Sequence, residues 1–213
     1  EDGYFSEAVI NMLALLGWNP GTEQEIFSLD ELIKSFSLAR VNKAGARFDP
    51  EKTKWFQHHY LQEKNNENLS TLFTNLLIKK GIGYNKNLEK IIGLIKERST
   101  FIADFWEQGS YFFEAPNTYN EKAAKKAFKE NTPQLLSKLV VLLEECVDFS
   151  SESLTNKTKN WITENEIGLG YVMMPLRLAL VGEMKGPDVF EIAAILGKKE
   201  VISRINKVIA FLS

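Results

Sequence analysis

Apolar side chains recur every three or four positions along nearly the whole chain, the period of helices that bury one face. Phe5, Ala8, Val9, Met12, Leu13, Leu15 and Leu16 share such a face, and the run stops at Gly17 ahead of Asn19-Pro20-Gly21, which predicts a helix over about 5–16. Ser28 with Glu31 is a capping-box pattern, in which hydroxyl and carboxylate satisfy orphan amides, and it opens the run Leu29, Leu32, Ile33, Phe36. Asp49-Pro50 supplies an N-cap and a first-turn proline before Trp55, Phe56, His59 and Tyr60. Leu69, Leu72, Phe73, Leu76 and Leu77 make a fourth helix that stops at Gly81-Ile82-Gly83, and Leu88, Ile91, Ile92 and Ile95 a fifth. Residues 99–113 hold Phe101, Ile102, Phe105, Trp106, Tyr111, Phe112 and Phe113, a helix whose aromatic density reads as core. Segments 120–129, 132–147 and 151–165 each open with a capping residue, and Pro133 suits a first turn. The remainder predicts a helix over 168–180 with Pro175 inside it, a Gly186-Pro187 turn, and periodic runs over 189–196 and 201–212. No alternating period-two run is bounded by turn residues, so the expected fold class is all-α, a helical bundle.

A length of 213 residues suits one large domain or two small ones at about 100–200 residues each. The most polar stretch, 63–68, and the segment 115–120 divide the chain into blocks 1–62, 63–118 and 119–213. With 44% apolar and 25% charged residues, disordered, collagen-like and basic-tail classes are excluded. The single cysteine, Cys146, has no internal disulfide partner and assembles no zinc set, which fits a reducing cytosol and a cytoplasmic protein. No long uninterrupted apolar run occurs and Glu1-Asp2-Gly3 is acidic where a signal peptide is basic, so neither secretion nor a membrane partner is expected. The missing initiator Met and the immediate entry into a periodic segment lead us to expect a piece of something longer.

Charge sharpens the picture, because the near balance of 26 Lys+Arg against 28 Asp+Glu hides segregation. Residues 1–60 carry 6 basic and 9 acidic side chains, 79–138 carry 11 and 7, 139–170 carry 2 and 6, and 171–213 carry 6 and 4. Basic blocks that converge on one face can follow a phosphate backbone; the plainer alternative is a solvated helix face.

Candidate catalytic chemistry is thin. His58 and His59 are adjacent and point about 100° apart on a helix, so they do not chelate one metal, and no metal site is expected. Cys146 beside Glu144-Glu145 has no nearby histidine to activate it and reads as buried. Gly168-Leu169-Gly170 follows a helix and carries no Lys-Ser or Lys-Thr, so it reads as a helix break and not a phosphate loop. Asn156-Lys157-Thr158 fits a glycosylation pattern that matters only in a secreted protein. No nucleophile, base and orienting group assemble, so no catalytic residue is assigned. Pro175 in Met173-Met174-Pro175-Leu176-Arg177 removes a helix bond beside an arginine, a place to bind something; the alternative is a loop between two short helices.

The residues carry a resemblance to bacterial-type glutamyl-tRNA synthetase, a class I enzyme, and to its part after the catalytic core. Gly3-Tyr4-Phe5-Ser6-Glu7-Ala8 with Asn11-Met12-Leu13-Ala14-Leu15-Leu16-Gly17-Trp18 resembles the segment following the family's Lys-Met-Ser-Lys-Ser-type loop. Phe27-Ser28-Leu29-Asp30-Glu31-Leu32-Ile33 and Phe48-Asp49-Pro50-Glu51-Lys52, through Trp55 and Tyr60, continue it in order. So do Met174-Pro175-Leu176-Arg177-Leu178-Ala179-Leu180, Gly186-Pro187-Asp188-Val189-Phe190-Glu191 and Leu196-Gly197-Lys198-Lys199-Glu200. Gln57 departs from the family's usual Asn.

The resemblance implies a stem-contact region over 1–62 and an α-helical anticodon-binding domain in two subdomains, 63–118 and 119–213. It implies that the parent is a glutamate–tRNA ligase using ATP and Mg, whose His-Ile-Gly-His and Lys-Ser-loop signatures are absent here, so this piece alone holds no cofactor and does not activate glutamate. The implied partners are a glutamate-accepting tRNA and the parent's own catalytic domain, in a monomer. Arg177 resembles the arginine that meets the first anticodon base, with Pro187 and Val189 in the loop beside it, and Arg98 the position that reads the third base in discriminating members. Guanidinium suits both places, since it stacks on a splayed base and donates a fork of hydrogen bonds to its edge. Lys90, Lys96, Lys122 and Lys126 are expected phosphate contacts on grounds of charge. A competing class is a helical protein-interaction scaffold with a groove lined by Trp106 and Phe112; a freestanding helical enzyme has least to support it.

Overall fold

The computed structural model describes residues 3–43, 45, 47–83 and 87–213; the acidic Glu1 and Asp2 lie outside them. Among the described residues twelve α-helices form and no strand, only an isolated antiparallel bridge between Trp18 and Val41. None of these helices is long and apolar enough to cross a membrane. The chain packs as two units, Glu1–Ile82 with Ile92–Gln108, and Gly83–Ile91 with Gly109–Ser213.

The first unit contains α1 (Ser6–Gly17), α2 (Leu29–Ser35), α3 (Pro50–Glu63), α4 (Asn66–Lys79), the end of α5 (Leu88–Ile95) and most of α6 (Asp104–Gly109). Its helix starts follow the local rules. Ser28 Oγ accepts from the Glu31 amide while the Glu31 carboxylate accepts from the Ser28 amide at 2.8 Å, and the Asp49 carboxylate accepts from the amides of Glu51 and Lys52. Helices α1 and α3 pack through Ala8, Met12, Phe56 and Tyr60. Within that core Asn11 is fully buried and satisfied: its Oδ1 accepts from the Tyr60 hydroxyl at 2.7 Å and the Phe27 amide at 2.8 Å, and its Nδ2 donates to the Glu25 carbonyl. Gln57 is fully buried too, accepting from the Phe5 amide at 2.7 Å and donating to the Thr100 carbonyl at 3.1 Å.

One expectation needs correcting here. The single helix over 99–113 is instead a turn, the short α6, and a 3-10 turn at Ser110–Phe112. The Asp104 carboxylate accepts from the amides of Thr100 and Phe101, at 2.7 and 2.9 Å, and so draws them out of helical pairing.

The second unit contains the start of α5, the Ser110–Phe112 turn, α7 (Glu121–Ala127), α8 (Thr132–Glu144), α9 (Ser151–Glu164), α10 (Leu169–Val181), α11 (Val189–Leu196) and α12 (Lys198–Leu212). Helix α10 packs against α7, α8, α9, α11 and α12, which explains why its sequence is apolar on every side. Val172, Pro175, Leu176, Leu178, Ala179 and Leu180 are all buried there. The helix runs unbroken through Pro175, so the loop alternative does not form; burial on five neighbours holds together what local chemistry alone would interrupt. Facing α8, helix α12 presents Val201, Ile205 and Val208 with no exposed surface, each worth about 2 kcal/mol of apolar burial.

Candidate nucleic-acid interface

Arg177 sits on the last turns of α10, where the chain turns through 182–188 and re-enters a helix at α11. The re-entry is fixed by Asp188, whose carboxylate accepts from the amides of Phe190 and Glu191. That fold-back aims two loop carbonyls at the arginine: Nη2 donates to the Pro187 carbonyl at 2.8 Å and Nη1 to the Lys185 carbonyl at 3.3 Å. Gly186 between them has φ +117°, a conformation side chains resist, and a Cβ there would lie 3.4 Å from the Tyr111 hydroxyl and 3.6 Å from Arg177 Nη1. Pro187 is buried and Val189 is 2% exposed. The structure thus brings Arg177, Pro187 and Val189 together, with the two apolar residues as the floor under the loop.

Behind this loop lies a residue that the sequence reading missed. Arg204 on α12 is 2% exposed; its Nη1 donates to the carbonyls of Tyr111 and Leu180, both at 2.7 Å, and its Nε to the Glu200 carboxylate at 2.7 Å. Burial pulls its pKa down, and the hydrogen bond and charge of Glu200 oppose that shift. Leu180 is in the last turn of α10, so this cation satisfies a carbonyl with no helical partner and meets the negative end of the helix dipole. The signal was present: Val201, Arg204, Ile205 and Val208 have core spacing, and an arginine in that stripe is one that has been given partners.

Arg98 has a different setting. It closes the 3-10 turn Lys96–Arg98 after α5, in the first unit, and it is exposed, with one long bond from Nη1 to the Leu94 carbonyl at 3.4 Å. Among the expected phosphate contacts, Lys122 and Lys126 are exposed one turn apart on α7, and Lys90 is exposed on α5. Lys96 is half-buried, its ammonium donating to the Lys64 carbonyl, and burial lowers its pKa. It is tied into the first unit.

The remaining candidates have ordinary structural settings. His58 Nδ1 lies 2.9 Å from the Ser99 carbonyl, while His59 pairs with Glu63 at 3.0 Å and stacks on Trp55. Cys146 is 1% exposed with its thiol on the Leu142 carbonyl. Among the described residues no group of three or more His, Cys, Asp or Glu side chains is placed to hold a metal. Thr158 of the glycosylation pattern is fully buried in α9. Phe112, expected to line a protein-binding groove, is also fully buried and lines nothing exposed.

A family model described as "Anticodon binding domain" matches residues 68–209, and one described as "tRNA synthetases class I (E and Q), catalytic domain" matches residues 1–55. The glutamate–tRNA ligase of Flavobacterium psychrophilum is 52% identical over 213 residues, and that of Flavobacterium johnsoniae 51% over 215, each alignment taking in 100% of this chain and 42% of the relative. The crystal structure of a glutamate tRNA ligase from Elizabethkingia meningosepticum in complex with its amino acid superposes with a TM-score of 0.95 at 46% identity, covering 100% of this chain and 42% of that one. The chain therefore spans well under half the length of the relatives it matches. With the anticodon-binding model covering most of its residues, and the Arg177 loop inside that match, this chain belongs to the anticodon-binding domain family.

Proposed function

We propose that this chain is the tRNA-binding and anticodon-reading portion of a glutamate–tRNA ligase, whose ATP- and Mg-dependent joining of glutamate to tRNA is carried out by a catalytic portion of which this chain carries no more than the segment matched at 1–55. In that reading 1–62 contacts the tRNA stem, and 63–118 and 119–213 are the two anticodon-binding subdomains, a functional division distinct from the packing units. The whole works as a cytoplasmic monomer.

The observation that carries the reading is the Arg177 clamp. Its guanidinium plane is fixed by the Lys185 and Pro187 carbonyls within the stretch matched to the anticodon-binding model. A group ordered in advance loses little freedom when an RNA base arrives, and the cost of a wrong base is then an unpaired donor, about 1–3 kcal/mol. Arg98 reads a second base, while Val189 acts only through the floor it builds. Lys90, Lys122 and Lys126 contact phosphates without sequence preference, and Lys96, held by the Lys64 carbonyl, contributes to the packing beneath.

The test is binding of the chain to a glutamate-tRNA transcript and to an anticodon-changed transcript across a salt series, for wild type and Arg177→Ala. The wild type is expected to favour the first transcript, and the variant to lose that preference while keeping its salt slope. Equal binding of both transcripts by the wild type at every salt concentration overturns the reading.

A further inference from the structure

We propose that Tyr171, Asn131, Gln134 and Lys129 form a second nucleobase subsite in the second unit, which stacks one unpaired base of the RNA on the Tyr171 ring and reads its edge with the two carboxamides. The proposal rests on the tRNA-binding role above and adds a contact that Arg177 does not make.

The place is a shallow cavity of about 490 Å³ between the end of α7 and the start of α10, lined by Lys129, Glu130, Asn131, Gln134 and Tyr171. Tyr171 is 50% exposed, yet its ring is packed against the backbone. A Cβ on Gly168 would lie 2.8 Å from the ring's Cδ2 and 3.1 Å from Cε2, so the bare glycine is what lets the ring lie flat over the chain. The Gly168 backbone, at φ −65° and ψ 126°, suits any residue. The ring, not the turn, therefore accounts for the glycine at 168. An exposed aromatic held in one orientation stacks a base with little further loss of freedom.

Of the polar groups around the ring, Lys129 donates from its ammonium to the Lys125 carbonyl at 3.2 Å, and the two carboxamides are the ones left to meet a ligand. Asn131 occupies the N-cap of α8, where an Asn side chain ordinarily accepts from a helix amide, but it makes no such bond; Thr132 Oγ1 organises the turn instead, accepting from the Lys129 amide at 2.7 Å. Gln134 is exposed one turn on. Each carboxamide offers a donor pair and an acceptor, the complement of a base edge. Glu130 beside Lys129 argues for a base over a phosphate, since a carboxylate repels an anion but accepts from an exocyclic amine. Lys122, Lys125 and Lys126 on the adjoining helix, with Lys129, supply the field that brings the strand there.

The experiment uses the 213-residue chain with the same two transcripts, each also made with a photoreactive thiouridine at single loop positions, and a short unstructured RNA oligonucleotide. Tyr171→Ala is expected to weaken transcript binding roughly ten-fold, Tyr171→Phe to stay within about two-fold of wild type, and neither to change the salt slope. Gly168→Ala, which displaces the ring while deleting no cavity side chain, is expected to weaken binding as Tyr171→Ala does. One loop position is expected to cross-link to the segment around Tyr171. If Arg177→Ala abolishes anticodon preference while Tyr171→Ala and Gly168→Ala, folded by circular dichroism, bind as wild type and no cross-link maps there, the subsite is overturned and the anticodon reading stands. If the wild type shows no anticodon preference, the oligonucleotide decides: loss of its binding in Tyr171→Ala upholds a base subsite, and unchanged binding overturns it as well.

Discussion

The two candidate base-reading arginines sit in opposite kinds of surroundings. Arg177 is half-buried and clamped by two carbonyls of a loop that leaves α10 just after Leu180, whose carbonyl the buried Arg204 holds. Arg98 stands exposed at the end of a short turn with one long contact to its own helix. The first resembles a part finished before assembly, and the second one that must be ordered by its ligand. Ordering a free arginine side chain costs up to about 2 kcal/mol, so on the proposed reading the same hydrogen bonds to RNA would yield less affinity at Arg98 than at Arg177.

The sharpest way to break this contrast is to remove the buried Arg204. Arg204→Met leaves the Tyr111 and Leu180 carbonyls without their charged donor, and urea unfolding is expected to record a loss of about 3–5 kcal/mol. A loss below about 1 kcal/mol would mean water or a neighbour takes over. Next in size is Arg177→Ala, for which competition binding should show anticodon preference falling by about 5- to 150-fold, with only a small change in melting temperature. Arg98→Ala should cost a few-fold in preference at one anticodon position, roughly what remains after the ordering penalty, and leave the melting curve where it was. An effect as large as that of Arg177→Ala would erase the distinction. Smallest in preference, though visible in salt, is the double change Lys122→Ala with Lys126→Ala. It should lower the salt slope by about 2 and weaken both transcripts alike, whereas Lys96→Ala should leave the slope unchanged.

What the sequence made legible follows the range of the forces involved. The helix starts at Ser28, Asp49 and Asn120 were readable because a cap is decided within three residues, and the all-α class because a helical period repeated throughout. The break inside 99–113 was not readable, since nothing in an apolar aromatic run announces that Asp104 will reach back for two amides. Pro175 pointed to an interruption that five packing neighbours override. At the site, Arg177, Pro187 and Val189 were singled out through motif order, and the structure brings them together. Arg204 and its contact with Tyr111 were not legible, because they lie in bonds spanning 24 and 93 positions of chain. Lys96 was singled out by charge, and the sequence did not show that its ammonium bonds a carbonyl 32 residues away.

Pro175 has one more consequence. It has no amide hydrogen to give the Tyr171 carbonyl four residues back, so the ladder of α10 lacks one rung between the turn that carries Tyr171 and the turn that carries Arg177. Deuterium uptake along this helix should therefore fall into two kinetic blocks, with the amides before Pro175 exchanging ahead of those after it. On the proposed two-base reading, exchange in two blocks would let the first turn of α10 adjust to one nucleotide without unlocking Arg177 on another.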